Sequence, residues 1–393
     1  MAAARETLPR AVVVLGLVSF FNDLASEMVT PLIPVLLAAV LGAGPVALGL
    51  VEGVADALAS LLRLWSGRLS DRLGRRKGLV VLGYGLSNLV RPLFGLAGHW
   101  AGLLALRATD RVGKGLRTAP RDALVADATP GTLRGRAYGL QRGLDNGGAM
   151  DGSLLAAAAL AWGGLDLRQV ILLSALPGLA AVLLIAFGVR EPARRAPAAS
   201  PPLIWAGLPP VMRRFLVVLA VFGLARASET FVVLRGHELG MTVVELLLLW
   251  AAFSLAKSLA AARGGRWADR VGLRRFVIRG WIAYAAGFLA LATVSSAAAL
   301  WWAAPAYGLL IGLSEGAERA VVADLATAEA SGTAFGWYNM ILGLAAIPGG
   351  LAFGLVWQVF GAGPAFLCAA LVALGAALAL QAWALVPAAR RTV

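Results

Sequence analysis

The chain has 393 residues, 60% hydrophobic and only 14% charged, with a mean hydropathy of +0.79 and a formal net charge of +14. That balance excludes a soluble domain and points to a protein built into a bilayer. The positive charge is not a nucleic-acid footprint: the 35 basic residues fall in short clusters between apolar runs, and no DNA- or RNA-binding motif accompanies them.

Apolar stretches of about 20 residues are long enough, at 1.5 Å per residue, to cross hydrocarbon. Twelve are predicted, over 11–40, 46–66, 79–98, 101–118, 137–161 and 168–189, then 214–236, 242–262, 276–295, 298–320, 334–358 and 363–387. No segment shows the period-two alternation of a membrane barrel. The expected fold class is therefore an all-α integral membrane protein, with twelve transmembrane helices in two pseudo-symmetric six-helix bundles. The bundles are expected at 1–190 and 214–393, with a cytoplasmic linker at 191–213 marked by Arg194, Arg195, Pro197, Pro201 and Pro202.

Arg5 and Arg10 precede the first stretch, but no small-residue cleavage pattern follows, so it reads as a first helix and not a cleaved signal. The fourth stretch carries Arg107, Asp110, Arg111, Lys114 and Arg117. A helix with those charges that still spans must face the protein interior. Basic clusters at Arg5 and Arg10, 68–77, 117–136, 190–214, 263–279, and Arg390 with Arg391 all fall on one side of the alternation. Both termini are accordingly expected in the cytoplasm, in a multi-pass protein of the plasma (inner) membrane.

The two halves repeat. Gly67-Arg68-Leu69-Ser70-Asp71-Arg72-Leu73-Gly74-Arg75-Arg76-Lys77 returns in degenerate form as Gly265-Arg266-Trp267-Ala268-Asp269-Arg270-Val271-Gly272-Leu273-Arg274-Arg275, and 269 − 71 is 198. Val125-Ala126-Asp127 returns as Val322-Ala323-Asp324, and Ala25-Ser26-Glu27 as Ala227-Ser228-Glu229. A period this long is a duplicated domain, and duplicated membrane domains are the usual build of a transporter.

Charges inside the spans are candidate functional groups, because each costs at least about 2.5 to 3.5 kcal/mol to insert. In the first helix Ser19, Asp23, Ser26, Glu27 and Thr30 share one face, and in the second Glu52, Asp56, Ser60 and Arg63 form a similar stripe. Arg91, Arg107, Arg111 and Arg142 are candidate partners, with Asp110 and Asp145 as further acidic members of this half. The second half is sparer, with Arg226 and Glu229 one turn apart, Lys257 and Glu315. These groups read either as a proton-coupling and substrate-orienting site or as a salt-bridge network that holds the bundle together.

The string at 67–77 resembles the loop signature of the major facilitator superfamily, and the resemblance extends over nearly the whole chain. Arg107 matches the arginine of the family's fourth-helix motif, with Asp110 where glutamine is more usual. The run Gly147-Gly148-Ala149-Met150-Asp151-Gly152-Ser153 is similar to the family's antiporter motif, with Ser153 at the usual proline position and Asp151 at an apolar one. The nearest likeness is to the twelve-helix bacterial drug/proton antiporter-like branch. It implies a secondary active transporter working by alternating access, with proton-coupled efflux of a small organic compound as the leading function. The alternative is a proton-coupled carrier of an anionic metabolite or metal chelate. It also implies that Gly67, Asp71, Arg72, Gly74, Arg75, Arg76, Asp269 and Arg270 form a cytoplasmic gate, against the plainer reading of a basic loop that only fixes topology.

The expected partners are the lipid bilayer, a small-molecule substrate and protons, with no nucleic acid and a monomeric state. No Gly-x-x-x-x-Gly-Lys-Ser/Thr loop is present, so any energy source is an ion gradient. A single cysteine, Cys368, and two histidines in short connections, His99 and His237, supply neither a metal site nor a nucleophile–base pair. No enzyme, cofactor or metal is expected.

Overall fold

The structure, a computed structural model, describes residues 8–130, 133–189, 204–326 and 331–384. Within these, the side chains of 134–135, 262–271, 314–317, 319–320, 323, 331–332 and 384 are not described. The linker residues 191–203 and the Asp269, Arg270 and Glu315 side chains thus lie outside the described residues.

The helices run α1 (Arg10–Glu27), α2 (Leu32–Val35, continued by a π turn to Val40), α3 (Pro45–Leu73), α4 (Lys77–Val90, continued by a 3₁₀ stretch to Leu96), α5 (Trp100–Ala128), α6 (Arg134–Ala161), α7 (Leu167–Leu173) and α8 (Ala175–Leu183). A short 3₁₀ turn at Trp205–Gly207 leads into α9 (Pro210–Ala225) and α10 (Thr230–Glu238). Then follow α11 (Val243–Val271), α12 (Leu273–Ala292), α13 (Ala297–Leu325), α14 (Ser331–Phe360) and α15 (Ala362–Ala379), the last continued by a π turn to Ala384. With α1–α2, α7–α8 and α9–α10 each counted as one broken rod, these make twelve rods, consistent with the twelve passages expected, and no strand occurs among the described residues. Helix is the physical requirement here, since a lipid-exposed backbone must satisfy its own hydrogen bonds.

Nine of the described helices are long and apolar enough to cross a bilayer by length and composition alone. Neither α5 nor α6 is among them, because of the charges they carry. The fourth passage also runs ten residues past its predicted end at 118, to Ala128. That extension places Asp127 beside the loop at the end of α3.

Backbone geometry repeats between the halves. Among the described residues all six positive-φ glycines pair across them: Gly42 (φ 60) with Gly240 (81), Gly74 (70) with Gly272 (88), and Gly164 (63) with Gly361 (89). The offsets are 240 − 42 = 198, 272 − 74 = 198 and 361 − 164 = 197. A left-handed residue is open at little cost only to glycine, so the same three turns have been kept in both copies.

The chain packs as two compact units. One comprises Met1–Thr30, Leu62–Ala97 and Ala105–Ala199, and the other Pro31–Leu61, Gly98–Leu104 and Ser200–Val393. The first has an apolar core of Val12, Leu15, Val18, Val80, Tyr84, Leu124, Val125 and Ile185. The second is organised on aromatic rings: Phe222 stacks on Trp281 with centroids 4.0 Å apart, and Tyr284, Tyr307 and Phe288 continue the cluster. Large apolar side chains such as Leu89, Phe187 and Leu371 are exposed, as lipid-facing positions are in a membrane protein.

Candidate functional site

The charged stripe of α5 organises the first unit. Arg107, Asp110, Arg111, Lys114, Arg117 and Arg121 follow one another at three- and four-residue steps, apart from the adjacent pair 110 and 111, and so lie on one helical face. That face turns inward, with Arg107 and Asp110 each 1% exposed. The interhelical approach is permitted by glycine: a Cβ on Gly113 would sit 2.6 Å from the Gly83 carbonyl oxygen and 2.5 Å from Ser87 Oγ. The α4 and α5 backbones therefore touch at this level, and Ser87 Oγ donates to the Asp110 carbonyl at 2.9 Å.

Asp110 is the hub. Arg91 Nη2, from the end of α4, donates to Asp110 Oδ1 at 3.0 Å. Arg107 Nη1 and Arg111 Nε lie 3.6 and 3.9 Å from Asp110 Oδ2. One carboxylate thus serves three buried guanidiniums. Arg91 Nη1 also donates to Asn88 Oδ1 at 2.8 Å and to the Asn22 carbonyl at 3.3 Å, so α1 is drawn into the network. Arg117 Nη1 donates to Ser87 Oγ at 2.6 Å, and its guanidinium stands 4.7 Å from the Tyr84 ring centroid. Among the described residues, Arg91 Nε and Arg111 Nε are buried and donate no hydrogen bond.

A second layer forms around Ser19. Its Oγ accepts from Arg121 Nη1 at 3.0 Å and from Gln141 Nε2 at 2.8 Å, joining α1, α5 and α6. Arg121 also pairs with Asp122 at 2.9 Å and faces Asp145 at 3.8 Å. Asp23, on the same face of α1, accepts from Asn22 Nδ2 at 2.9 Å and lies within electrostatic reach of Lys114. These contacts join the basic groups Arg91, Arg107, Arg111, Lys114, Arg117 and Arg121 with the acidic groups Asp23, Asp110, Asp122 and Asp145.

The structure therefore brings together Arg91, Arg107, Asp110 and Arg111, with Asp23 and Asp145 nearby. Arg142 is exposed on α6, within electrostatic reach of Asp145. Glu27 closes α1, where its carbonyl accepts from Ser153 Oγ at 3.4 Å. Glu52 and Asp56 belong to the second unit, one turn apart on α3, the first buried and the second exposed. Asn22, Ser87, Asn88 and Arg121 were not singled out by sequence; Asn88 and Arg91 at an i, i+3 spacing were the available signal.

In the second unit the passage of α9 and α10 is broken at 226–229, so Arg226 and Glu229 do not meet as residues one turn apart on a continuous helix. Arg226 Nη1 instead reaches Glu318 Oε2 at 3.2 Å, and Lys257 Nζ meets Glu229 Oε1 at 2.5 Å. Glu318, 3% exposed, also accepts from Trp281 Nε1 at 2.9 Å and Tyr338 Oη at 3.0 Å.

At the loop between α3 and α4, Gly74 supplies the left-handed turn. Arg76 bridges two carboxylates, with Nη2 3.3 Å from Asp71 Oδ1 and Nη1 2.9 Å from Asp127 Oδ2 at the end of α5. Lys77 Nζ donates to the Ala186 carbonyl at 2.7 Å, and Gly67 lies where a Cβ would meet that of Ala119 at 3.3 Å. The loop thus ties three helices of one unit.

Comparison with known proteins agrees with this architecture. The profile of the Major Facilitator Superfamily matches residues 15–235 and 215–393. An uncharacterized MFS-type transporter of Methanocaldococcus jannaschii is 31% identical over 358 residues, covering 90% of this chain and 89% of the relative. An uncharacterized protein of Mycobacterium tuberculosis is 30% identical over 365 residues, covering 89% and 87%. Among solved structures, the nucleoside transporter NupG superposes with a TM-score of 0.79 at 13% identity, over 95% of this chain and 99% of its own. The human organic anion transporter MFSD10 superposes with a TM-score of 0.70 at 19% identity, over 95% and 99%, and at these identities both likenesses speak to fold alone. A duplicated, helical membrane chain with this loop signature, matched over residues 15–393 by the family profile, belongs to the major facilitator superfamily.

Proposed function

We propose that this secondary transporter is a proton-coupled carrier of a small organic anion, working by alternating access between its six-helix halves. The observation that carries the reading is Asp110, one carboxylate set among the buried guanidiniums of Arg91, Arg107 and Arg111. Guanidiniums held in fixed positions bind carboxylate or phosphate through paired N–H donors, and burial makes an uncompensated cation costly. A cargo anion would relieve that cost. Asp23, Glu27 and Asp145 are the proton-coupling candidates, because a carboxylate beside a guanidinium changes its proton affinity when cargo competes for that guanidinium. Arg226 and Glu229 are the corresponding groups of the second half, and Glu52 and Asp56 remain candidates on α3. The Asp71–Arg76–Asp127 link, with Gly67, Arg72, Gly74 and Arg75, and Asp269 and Arg270 in the second copy, is read as a gate that must open in each cycle. The protein is read as a monomer of the plasma (inner) membrane with both termini in the cytoplasm.

Proton-driven export of an uncharged or amphipathic compound is the second reading. It is favoured by the glycine run of α6, where the Gly148 and Gly152 positions touch the Phe20 and Leu24 carbonyls on the Asp23-bearing helix.

Purified protein in liposomes with an imposed pH gradient tests the choice. Gradient-driven movement of carboxylates or phosphate esters supports the anion carrier. Movement of neutral or cationic compounds alone, with anions excluded, would overturn it.

A further inference from the structure

A groove of about 330 Å³ opens where α9 begins, lined by Trp205, Pro210, Arg213, Arg214, Val217 and Trp383. It lies within the second unit, far along the chain from the arginine cluster, and the cargo site makes no use of it. Its volume is within the range of small-ligand sites, which run from about 300 to 1,000 Å³.

The two arginines differ in what they already do. Arg214 Nη1 donates to the Trp383 carbonyl at 3.1 Å, fastening the end of the last helix to the start of α9. Among the described residues no carboxylate pairs with Arg213, and its Nε is buried without a hydrogen-bond partner. A cation that lines a cavity without a counter-charge is a site for an anion. The tryptophans give the level: Trp205 lies in the short turn before α9, packed edge-to-face on Trp337 at 4.9 Å, and Trp383 ends the final helix. Indole side chains concentrate at the membrane–water boundary.

Apolar surface continues from the groove along α9. Val217, Val221 and Leu224 are 48%, 44% and 44% exposed and follow at four- and three-residue steps, so they form one stripe that starts at the groove wall. A free anion would leave that stripe and the tryptophans unused, whereas a lipid supplies a phosphate for Arg213 and an acyl chain for the stripe. We propose that this groove binds an anionic phospholipid, its phosphate on Arg213 and one chain along Val217, Val221 and Leu224. The basic clusters assign this end of α9 to the cytoplasmic leaflet, where juxtamembrane arginines recognise anionic lipid.

The test is native mass spectrometry of the full-length protein in detergent, titrated with phosphatidylglycerol, phosphatidylcholine or glycerol phosphate. Phosphatidylglycerol is expected to bind roughly fivefold more tightly than phosphatidylcholine, the gain that one basic residue gives near an anionic surface. Arg213→Gln should remove that preference, Arg213→Lys should keep it, and Trp205→Ala should weaken both lipids together. Equal binding of the two lipids, displacement of phosphatidylglycerol by glycerol phosphate, or loss of preference in Arg213→Lys would each overturn the proposal.

Discussion

Arg91 reaches Asp110 from another helix at 3.0 Å, and it does so at a carboxylate that Arg107 and Arg111 already face from its own helix. The arrangement is unequal by construction. Removing Asp110 leaves three buried guanidiniums without their shared counter-charge, while removing Arg91 leaves Asp110 with two cations.

The first prediction follows from that inequality. Asp110→Asn should destabilise the folded protein by about 3 to 5 kcal/mol, the cost of breaking a buried pair from one side. Arg91→Gln should cost clearly less, and thermal unfolding in detergent compares the two. Equal losses would mean that the arginines are compensated by other groups.

A second concerns Arg76, whose two nitrogens meet Asp71 and Asp127 at 3.3 and 2.9 Å. Both carboxylates are about 40% exposed, so each pair should contribute only about 0.2 to 1 kcal/mol to stability. The effect should appear instead in turnover: Asp127→Asn is expected to slow transport as much as Asp71→Asn, and Arg76→Gln at least as much as either. Normal rates in all three would leave the loop a topology signal only.

Matched turns give a third. Gly74 and Gly272 hold φ of 70° and 88°, so alanine at either should cost about 1 to 2 kcal/mol, and by similar amounts. Gly78 lies in helix with open space around its Cβ position, and Gly78→Ala should be neutral or slightly stabilising. Thermal melts of the three variants decide it, and a tolerant Gly74→Ala would contradict the turn assignment.

Much of the fold was legible because lipid removes alternatives. Apolar length set the spans, and the 198-residue offset predicted a duplication that the paired positive-φ glycines repeat in backbone geometry. The charged fourth helix was legible as an inward-facing one, and its buried face carries the candidate site. Partner choice was far less legible. Asp127 was visible as part of the Val-Ala-Asp repeat, but its pairing with Arg76 depends on α5 running on to Ala128, past the apolar length. Glu318 was passed over for Glu315, since periodicity alone does not say which of two carboxylates one turn apart meets Trp281 and Tyr338. The break at 226–229 has no proline to announce it, and there Arg226 and Glu229, one turn apart in sequence, take separate partners. Arg142 is exposed on α6, and hydropathy does not resolve burial among mixed residues on one helix.

The proposed anion-carrier reading has the buried arginines bind the cargo anion. Its most direct measurement is the ligand-induced shift in melting temperature of purified protein across matched panels of organic anions, cations and neutral compounds, repeated in Arg111→Gln. The account predicts that stabilising compounds are anions and that Arg111→Gln lowers their affinity at least about tenfold, the loss of one charge-assisted contact. Stabilisation by cations or neutral compounds, with anions inert and Arg111→Gln indistinguishable from the native protein, would contradict it.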